Sequence, residues 1–210
     1  MVTEPTRTPH SVLTVMAHPD DAELWAGGTL ARLSRAGCTV TISVPEHPET
    51  VRNAEGAFAA DLLGATFRSY AEPTVDTLRE LLDAIRPEVV ITHSLDDVHP
   101  DHRQVAHTLN AALPDVVIST GCPQRVYSSD TYNGLTSTGT VAAHTIVDVT
   151  ASWDAKMRAL AAHASQPIAE HFGPMAETLG RVWGGRIGVT YGENFVPLPV
   201  LGRLPASSTL

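Results

Sequence analysis

SVLTVMAHPDDAEL, residues 11–24, decides how the rest of the chain is read. Residues 11–16 form a short apolar, partly β-branched run, the pattern of a strand buried on both faces. Asp20 and Asp21 then fit the start of a helix that runs to about residue 36, where Gly37 ends it. Acidic residues favour such a start, because the free backbone N–H groups and the helix dipole stabilise negative charge there. Gly27 and Gly28 inside this helix cost about 1 kcal/mol each relative to alanine. Their return is close packing on the sheet or room for a ligand.

Outward from this unit the same alternation continues. Residues 39–44 read as a strand, 51–63 as a helix, 66–70 as a strand and 75–85 as a helix stopped by Pro87. Residues 89–92 read as a fourth strand, and 101–113 as a helix ended by Pro114. Such β-α alternation predicts an α/β, Rossmann-like three-layer fold, with helices on both faces of a mainly parallel sheet. Ligands in these sheets bind beyond the carboxyl ends of the strands. The last third is less regular: strands over 125–128 and 145–149 flank a Gly/Ser/Thr-rich loop, 129–140. A helix follows over 152–164, with Trp153, Met157 and Leu160 on one face. Residues 165–210, rich in Pro and Gly with one strand over 187–195, read as an irregular rim or lid of a single domain spanning 1–210.

Composition narrows the class without naming a function. The 210 residues suffice for one substantial core, and 43% hydrophobic with 18% charged residues is ordinary for a globular protein. The net charge of −9 argues against a nucleic-acid partner, which needs clustered Lys and Arg. No apolar run approaches the ~20 residues of a membrane span, and residues 1–10 lack the pattern of a signal peptide. Two cysteines, Cys38 and Cys122, provide no disulfide framework, so a cytoplasmic setting is the expectation. A homo-oligomer is compatible with all of this.

The chemistry sits in two clusters that each close a predicted strand. The first is AHPDDAEL, residues 17–24; the second is THSLDDVHPDHR, residues 92–103. Both offer imidazoles and carboxylates, which a divalent metal of borderline hardness accepts. A catalytic zinc needs three protein ligands and an open position. His18, Asp21 and His102 would supply three and leave Asp20, His99 and Asp101 for acid–base work, with His99 the main competitor as third ligand. The pattern describes a metal-dependent hydrolase.

The two clusters also resemble the PIG-L/LmbE family of zinc-dependent N-deacetylases, which act mainly on N-acetylated amino sugars and related small molecules. Arg52-x-x-Glu55 before Ala59-Ala60-Asp61-Leu62-Leu63-Gly64 is similar to the family's R-x-x-E…A-A-x-x-L-G stretch. Residues 85–93 resemble the strand that leads into the second cluster. Val147-Asp148-Val149-Thr150, Lys156 and Ala162-His163-Ala164-Ser165-Gln166 resemble a late segment. The likeness runs in order over roughly residues 11–170.

The resemblance implies an LmbE-like fold, with His18, Asp21 and His102 on Zn2+; the same ligand set also suits Fe2+, Co2+ or Mn2+. It implies that Asp20 takes the proton of the attacking water. His99, as imidazolium, would stabilise the oxyanion and protonate the leaving amine, with Asp101 holding its tautomer. Arg52 is a candidate for a substrate hydroxyl or phosphate, set against an ion pair with Glu55 or another surface acid. Glu23 is expected to be structural and His163 packed. The expected substrate is a small N-acylated, amino-sugar-like molecule, with specificity from Arg52, residues 129–140 and residues 184–194. Two rivals remain: hydrolysis of another amide or ester bond, and a metal-stabilised binding protein without catalysis.

The chain departs from its relatives in two places. It has the short Pro45-Glu46-His47-Pro48-Glu49 where they often carry a longer Gly-rich segment. At the position where some relatives place a tyrosine, two residues before the first histidine of the second cluster, it has Asp97, read as a solvated loop charge.

Overall fold

The computed structural model describes residues 8–204. The expectation that residues 1–10 lack a signal peptide falls, over residues 1–7, outside the described residues, as does the last stretch of the expected rim, 205–210.

Five parallel strands form the centre: β1 (Ser11–Val15), β2 (Thr39–Pro45), β3 (Thr66–Tyr70), β4 (Val89–Thr92) and β5 (Arg125–Ser128). Four helices connect them, α1 (Asp21–Arg35), α2 (Thr50–Leu63), α3 (Val75–Ile85) and α4 (Pro100–Thr120). The apolar run of β1 is buried on both sides because helices cover both faces. One core joins Val12, Ile42 and Ile91 to α1, α2 and a later helix, α5 (Trp153–Ala161). The other joins Leu13, Val15 and Val90 to α3 and α4 through Leu78, Leu82, Val105 and Leu109.

The strand order is β3-β2-β1-β4-β5, so the chain winds outward from β1 and then restarts on its other side at β4. A crevice opens at such a reversal, beyond the carboxyl ends of the two strands. Val15 pairs with Thr92 in register, and the Thr92 hydroxyl donates to the Val15 carbonyl at 2.8 Å. The two histidine–aspartate clusters therefore leave the sheet side by side.

Three expectations are corrected. Pro114 does not end α4, which continues to Thr120; Ala112, Leu113 and Val116 bury against the sheet, and Gly121 at φ 74° closes the helix instead. Burial of this face outweighs the hydrogen bond that proline removes. Helix α5 stops at Ala161, short of residue 164. Residues 165–204 are more regular than a rim: a π turn (Ile168–Phe172), helix α6 (Gly173–Ile187) and strand β9 (Gly192–Leu198). β9 joins the main sheet antiparallel to β5, and the edge strand β8 (Thr145–Asp148) pairs antiparallel with β9. The loop 129–140 contains a 3-10 turn (Tyr132–Gly134) and a hairpin of β6 (Leu135–Thr136) and β7 (Gly139–Thr140).

Gly27 and Gly28 serve close packing, against α5 and its approach rather than the sheet. A Cβ on Gly28 would lie 2.7 Å from Val149 Cβ, and one on Gly27 3.1 Å from Lys156 Cγ. Cys38 and Cys122 are free thiols. No helix among the described residues is long and apolar enough to cross a membrane.

Candidate active site

The turn from β1 into α1 folds His18 and Asp21 together. The His18 N–H donates to Asp21 Oδ2 at 2.8 Å, and His18 Nδ1 lies 3.2 Å from the same oxygen. From the second cluster, His102 Nε2 approaches Asp21 Oδ1 at 3.3 Å. His18, Asp21 and His102 present one ligand atom each, all within 4.8 Å of one another. The sequence-derived trio thus converges on one point.

The remaining ring nitrogens of both histidines face carboxylates. Asp97 Oδ2 is 3.1 Å from His102 Nδ1, and Asp101 Oδ2 is 3.3 Å from His18 Nε2. A carboxylate on one nitrogen fixes the tautomer and turns the other nitrogen's lone pair outward, the arrangement usual for metal-binding histidines. His102 Nε2 is buried and has no hydrogen-bond partner. That orphaned nitrogen, set against a buried carboxylate, fits a divalent cation.

The electrostatics agree. Burial alone pushes His102 down, but Asp21 and Asp97 overcome it and lift its pKa to about 10. His18 is likewise raised, Asp21 outweighing burial. Burial works to raise Asp21, and the charges of His102 and His93 drive it well below the carboxylate range. The carboxylates of the pocket favour positive charge at this point, which a divalent ion would supply.

Around this centre the expected roles are partly redrawn. Asp20 occupies the N-cap position of α1, yet its side chain caps no backbone N–H. Its Oδ1 instead accepts from Arg52 Nη2 at 2.9 Å, while Arg52 Nη1 lies 3.2 Å from His47 Nε2. Arg52 therefore pairs with Asp20, not with Glu55. Glu55 receives the Ser165 N–H at 2.9 Å and the Ser165 hydroxyl at 2.5 Å, which ties α2 to the segment after α5. Asp101 does not bond the His99 side chain through its carboxylate. Its backbone N–H donates to His99 Nδ1 at 3.2 Å, so the neutral His99 ring carries its proton on Nε2. Burial, then His102 and His18, hold His99 below its ordinary value of 6.5, which favours that neutral form over an imidazolium.

Asp97 is not a solvated loop charge. It is fully buried, and besides His102 it accepts the His99 N–H at 2.8 Å. His93, left unassigned from the sequence, is buried and stacks on His102 with centroids 3.8 Å apart; its Nε2 accepts the Ala17 N–H at 2.9 Å. Nothing local in the sequence signals either role, except the position of both residues beside cluster histidines. Glu23 and His163 form a buried pair, with His163 Nε2 3.4 Å from Glu23 Oε2.

Tyr132, from the loop after β5, is the other residue that sequence reasoning missed. Its ring lies at 15° to that of His102, 5.7 Å between centroids. Burial, then Asp21, Asp20 and Asp97, push its phenol above the ordinary value. Residues 192–194, expected to help set specificity, are buried in β9, where Asn194 accepts from His144 N–H and donates to the Ala142 carbonyl.

A cleft of about 490 Å³ opens beside His18 and Asp101. Its far wall is the short segment after β2, with Glu46 and His47, and the segment after β3, with Glu72 and Thr74. It is large enough for a sugar-sized ligand.

Comparison with known proteins finds similarity over the same stretch of chain. The PIG-L family model, described as GlcNAc-PI de-N-acetylase, matches residues 13–113, the stretch from β1 into α4 that holds every candidate ligand. The 1D-myo-inositol 2-acetamido-2-deoxy-alpha-D-glucopyranoside deacetylase 1 of Saccharopolyspora erythraea is 26% identical, with 75% of this chain and 78% of the relative covered. Among solved structures, N,N'-diacetylchitobiose deacetylase from Pyrococcus horikoshii superposes with a TM-score of 0.73 at 22% identity, covering 96% of this chain and 88% of that one. A 4-carboxy-2-hydroxymuconate hydratase from Pseudomonas putida KT2440 gives a TM-score of 0.76 at 22% identity, covering 95% and 99%. These two show the shared fold, and between them that the fold hosts more than one reaction.

Proposed function

We propose that the chain, which is similar to the PIG-L family over residues 13–113, is a metal-dependent hydrolase removing an N-acetyl group from a small amino-sugar-like molecule. The observation that carries this reading is the convergence of His18 Nδ1, Asp21 and His102 Nε2, each histidine backed by its own carboxylate. We assign the ligand set to these three residues and the ion to zinc, with Fe2+, Co2+ and Mn2+ as chemically compatible occupants. When bound, such an ion supplies a Lewis acid that polarises the acyl carbonyl and lowers the pKa of water toward ~7.

The chain's own residues then divide the remaining work. Asp20 is the base: Arg52 holds its Oδ1, and its Oδ2 has no protein partner among the described residues. A carboxylate aimed this way accepts the proton of the attacking water. His99 donates its Nε2–H to the acyl oxygen as negative charge develops there. Because His99 is held toward its neutral form, the proton taken up by Asp20 is the one delivered to the leaving nitrogen. The products are a carboxylate and an amine. Arg52 acts on the substrate only through Asp20. With Glu46, Glu72 and Asp101 along the cleft, the favoured ligand is a neutral polyol-like molecule rather than an anionic one. We treat residues 1–210 as one catalytic domain working on a small metabolite in the cytoplasm.

The test is a panel of N-acetyl sugars, N-acetyl amino acids and phosphate esters, incubated with metal-loaded protein and assayed for free amine and phosphate. Amine release from N-acetyl sugars is expected. Release from amino acids alone would sink the sugar assignment and keep the deacetylase; phosphate without amine would sink both.

A further inference from the structure

The loop 129–140 leaves the sheet after β5 and returns over the second histidine–aspartate cluster. Its attachment centres on Asp96. The Asp96 carboxylate accepts from the Ser94 hydroxyl at 2.6 Å, from Thr136 Oγ1 at 2.8 Å and from Thr138 Oγ1. Its carbonyl takes both the N–H and the hydroxyl of Ser137, each at 2.9 Å. Next to it, Asp97 and Thr136 form an isolated β-bridge. Four contacts from Thr136, Ser137 and Thr138 thus pin the hairpin β6–β7 onto the segment that carries His99 and His102.

The clamp decides where Tyr132 stands. Asn133 at φ 55° and Gly134 at φ 68° turn the backbone sharply just after it, into the pinned hairpin. Its ring is stacked along His102 and meets Trp25 edge-on at 87°, with 5.3 Å between centroids. Its hydroxyl has no hydrogen-bond partner among the described residues. Tyr191, by contrast, receives a bond from Arg181 at 3.0 Å. A half-buried phenol normally finds a partner. One held beside the candidate ligands and unpaired by any described side chain has its donor free for water or for a group that enters the site.

We infer that the Tyr132 hydroxyl is a second donor to the acyl oxygen, acting together with His99 Nε2–H; this rests on the deacetylase reading. The phenol keeps its proton throughout: the O–H bond stays intact, and the hydrogen bond strengthens as the carbonyl oxygen gains charge. Removing one donor from such a pair costs rate rather than substrate affinity, because the bond is stronger in the transition state than in the ground state. Asp96 is a positioning residue in this scheme, acting on the substrate only through Tyr132.

Tyr132→Phe keeps the stacking on His102 and Trp25 and removes only the donor. Assayed on the N-acetyl substrate that the wild type turns over best, it should lose about 10²-fold in kcat with KM changed less than about threefold. Bound metal and the thermal midpoint should match the wild type. Asp96→Ala, which releases the loop, should reduce kcat as well, and the double variant should be no slower than Tyr132→Phe alone. A Tyr132→Phe enzyme with undiminished kcat, or one that fails in KM only, overturns the proposal while leaving the deacetylase reading intact. Additive losses in the double variant would overturn the assignment of Asp96. A wild type that releases amine from no N-acyl compound would overturn the function itself, and this inference with it.

Discussion

Asp97 Oδ2 sits 3.1 Å from His102 Nδ1, and neither side chain is exposed to solvent. The contact orients the imidazole and leaves Nε2 facing Asp21. Losing such an orienting partner typically weakens metal binding 10–100-fold. We expect that loss for Asp97→Ala, read by titrating bound metal against a chelator. Asp97→Asn retains an oxygen that accepts from Nδ1–H and should fall between the two. Unchanged affinity in Asp97→Ala would mean that His102 does not hold the ion.

Asp20 and Arg52 should fail together, but unequally. Asp20→Asn cannot accept a proton, so kcat should drop at least ~10²-fold while one equivalent of metal remains. Arg52→Ala leaves the carboxylate present but unaimed, and misplacement alone can cost up to about 10²-fold. The fall should appear in kcat, with KM little changed. A rise in KM alone would show that Arg52 binds substrate directly. Elemental analysis of each variant separates both effects from metal loss.

The parallel sheet and its order of elements were legible because each rests on local pattern, and the two histidine–aspartate clusters because they close strands; the choice of His102 over His99 came from the family resemblance. Apolar runs, Gly37 and the strand-end histidines all act within a few residues of where they are read. What stayed hidden depends on tertiary neighbours. Helix α6 is masked by Gly180 and Gly184, whose absent side chains admit Trp153 and the Thr190 backbone at distances a Cβ would bring to 2.6 and 2.8 Å. Pro114 misled because propensity ignores the buried face of α4. Asp97 and Tyr132 take their roles from burial and from a loop that arrives through space, and no spacing in the chain encodes either.

The pH dependence should carry the signature of His99. Burial and the neighbouring His102 and His18 place its pKa below 6.5, so the ring gains a proton only beneath that value. Protonation at Nδ1 also displaces the Asp101 N–H bond. If the neutral ring is the working form, kcat/KM is steady above pH 6.5 and falls as pH drops through the lowered pKa. His99→Gln, a donor that does not titrate, should be slower and should lose this component of the acid limb. A limb of identical shape in His99→Gln would assign it to another group.

Farther from the cleft, the fold depends on a buried ion pair that supports α1 from behind. Lys156 Nζ lies 2.6 Å from Glu193 Oε1 and donates to the Leu24 carbonyl at 2.7 Å. The Glu193 oxygens also accept the N–H groups of Gly28 at 2.9 Å and Thr29 at 2.7 Å. Removing one member of a buried pair strands the other, at a cost of about 3–5 kcal/mol, whereas removing both costs much less. Lys156→Met should therefore lower the melting temperature by roughly 6–20 °C, taking ~2–4 °C per kcal/mol for a chain of this size. Lys156→Met with Glu193→Gln should recover a large part of it. Thermal unfolding of both singles and the double closes the cycle; additive losses would mean that the two side chains act independently. Because the pair grips the middle of α1 while Asp20 and Asp21 sit at its start, Lys156→Met assayed well below its melting point should retain metal. Metal loss from that folded variant would show that the pair sets the site's geometry as well as its stability.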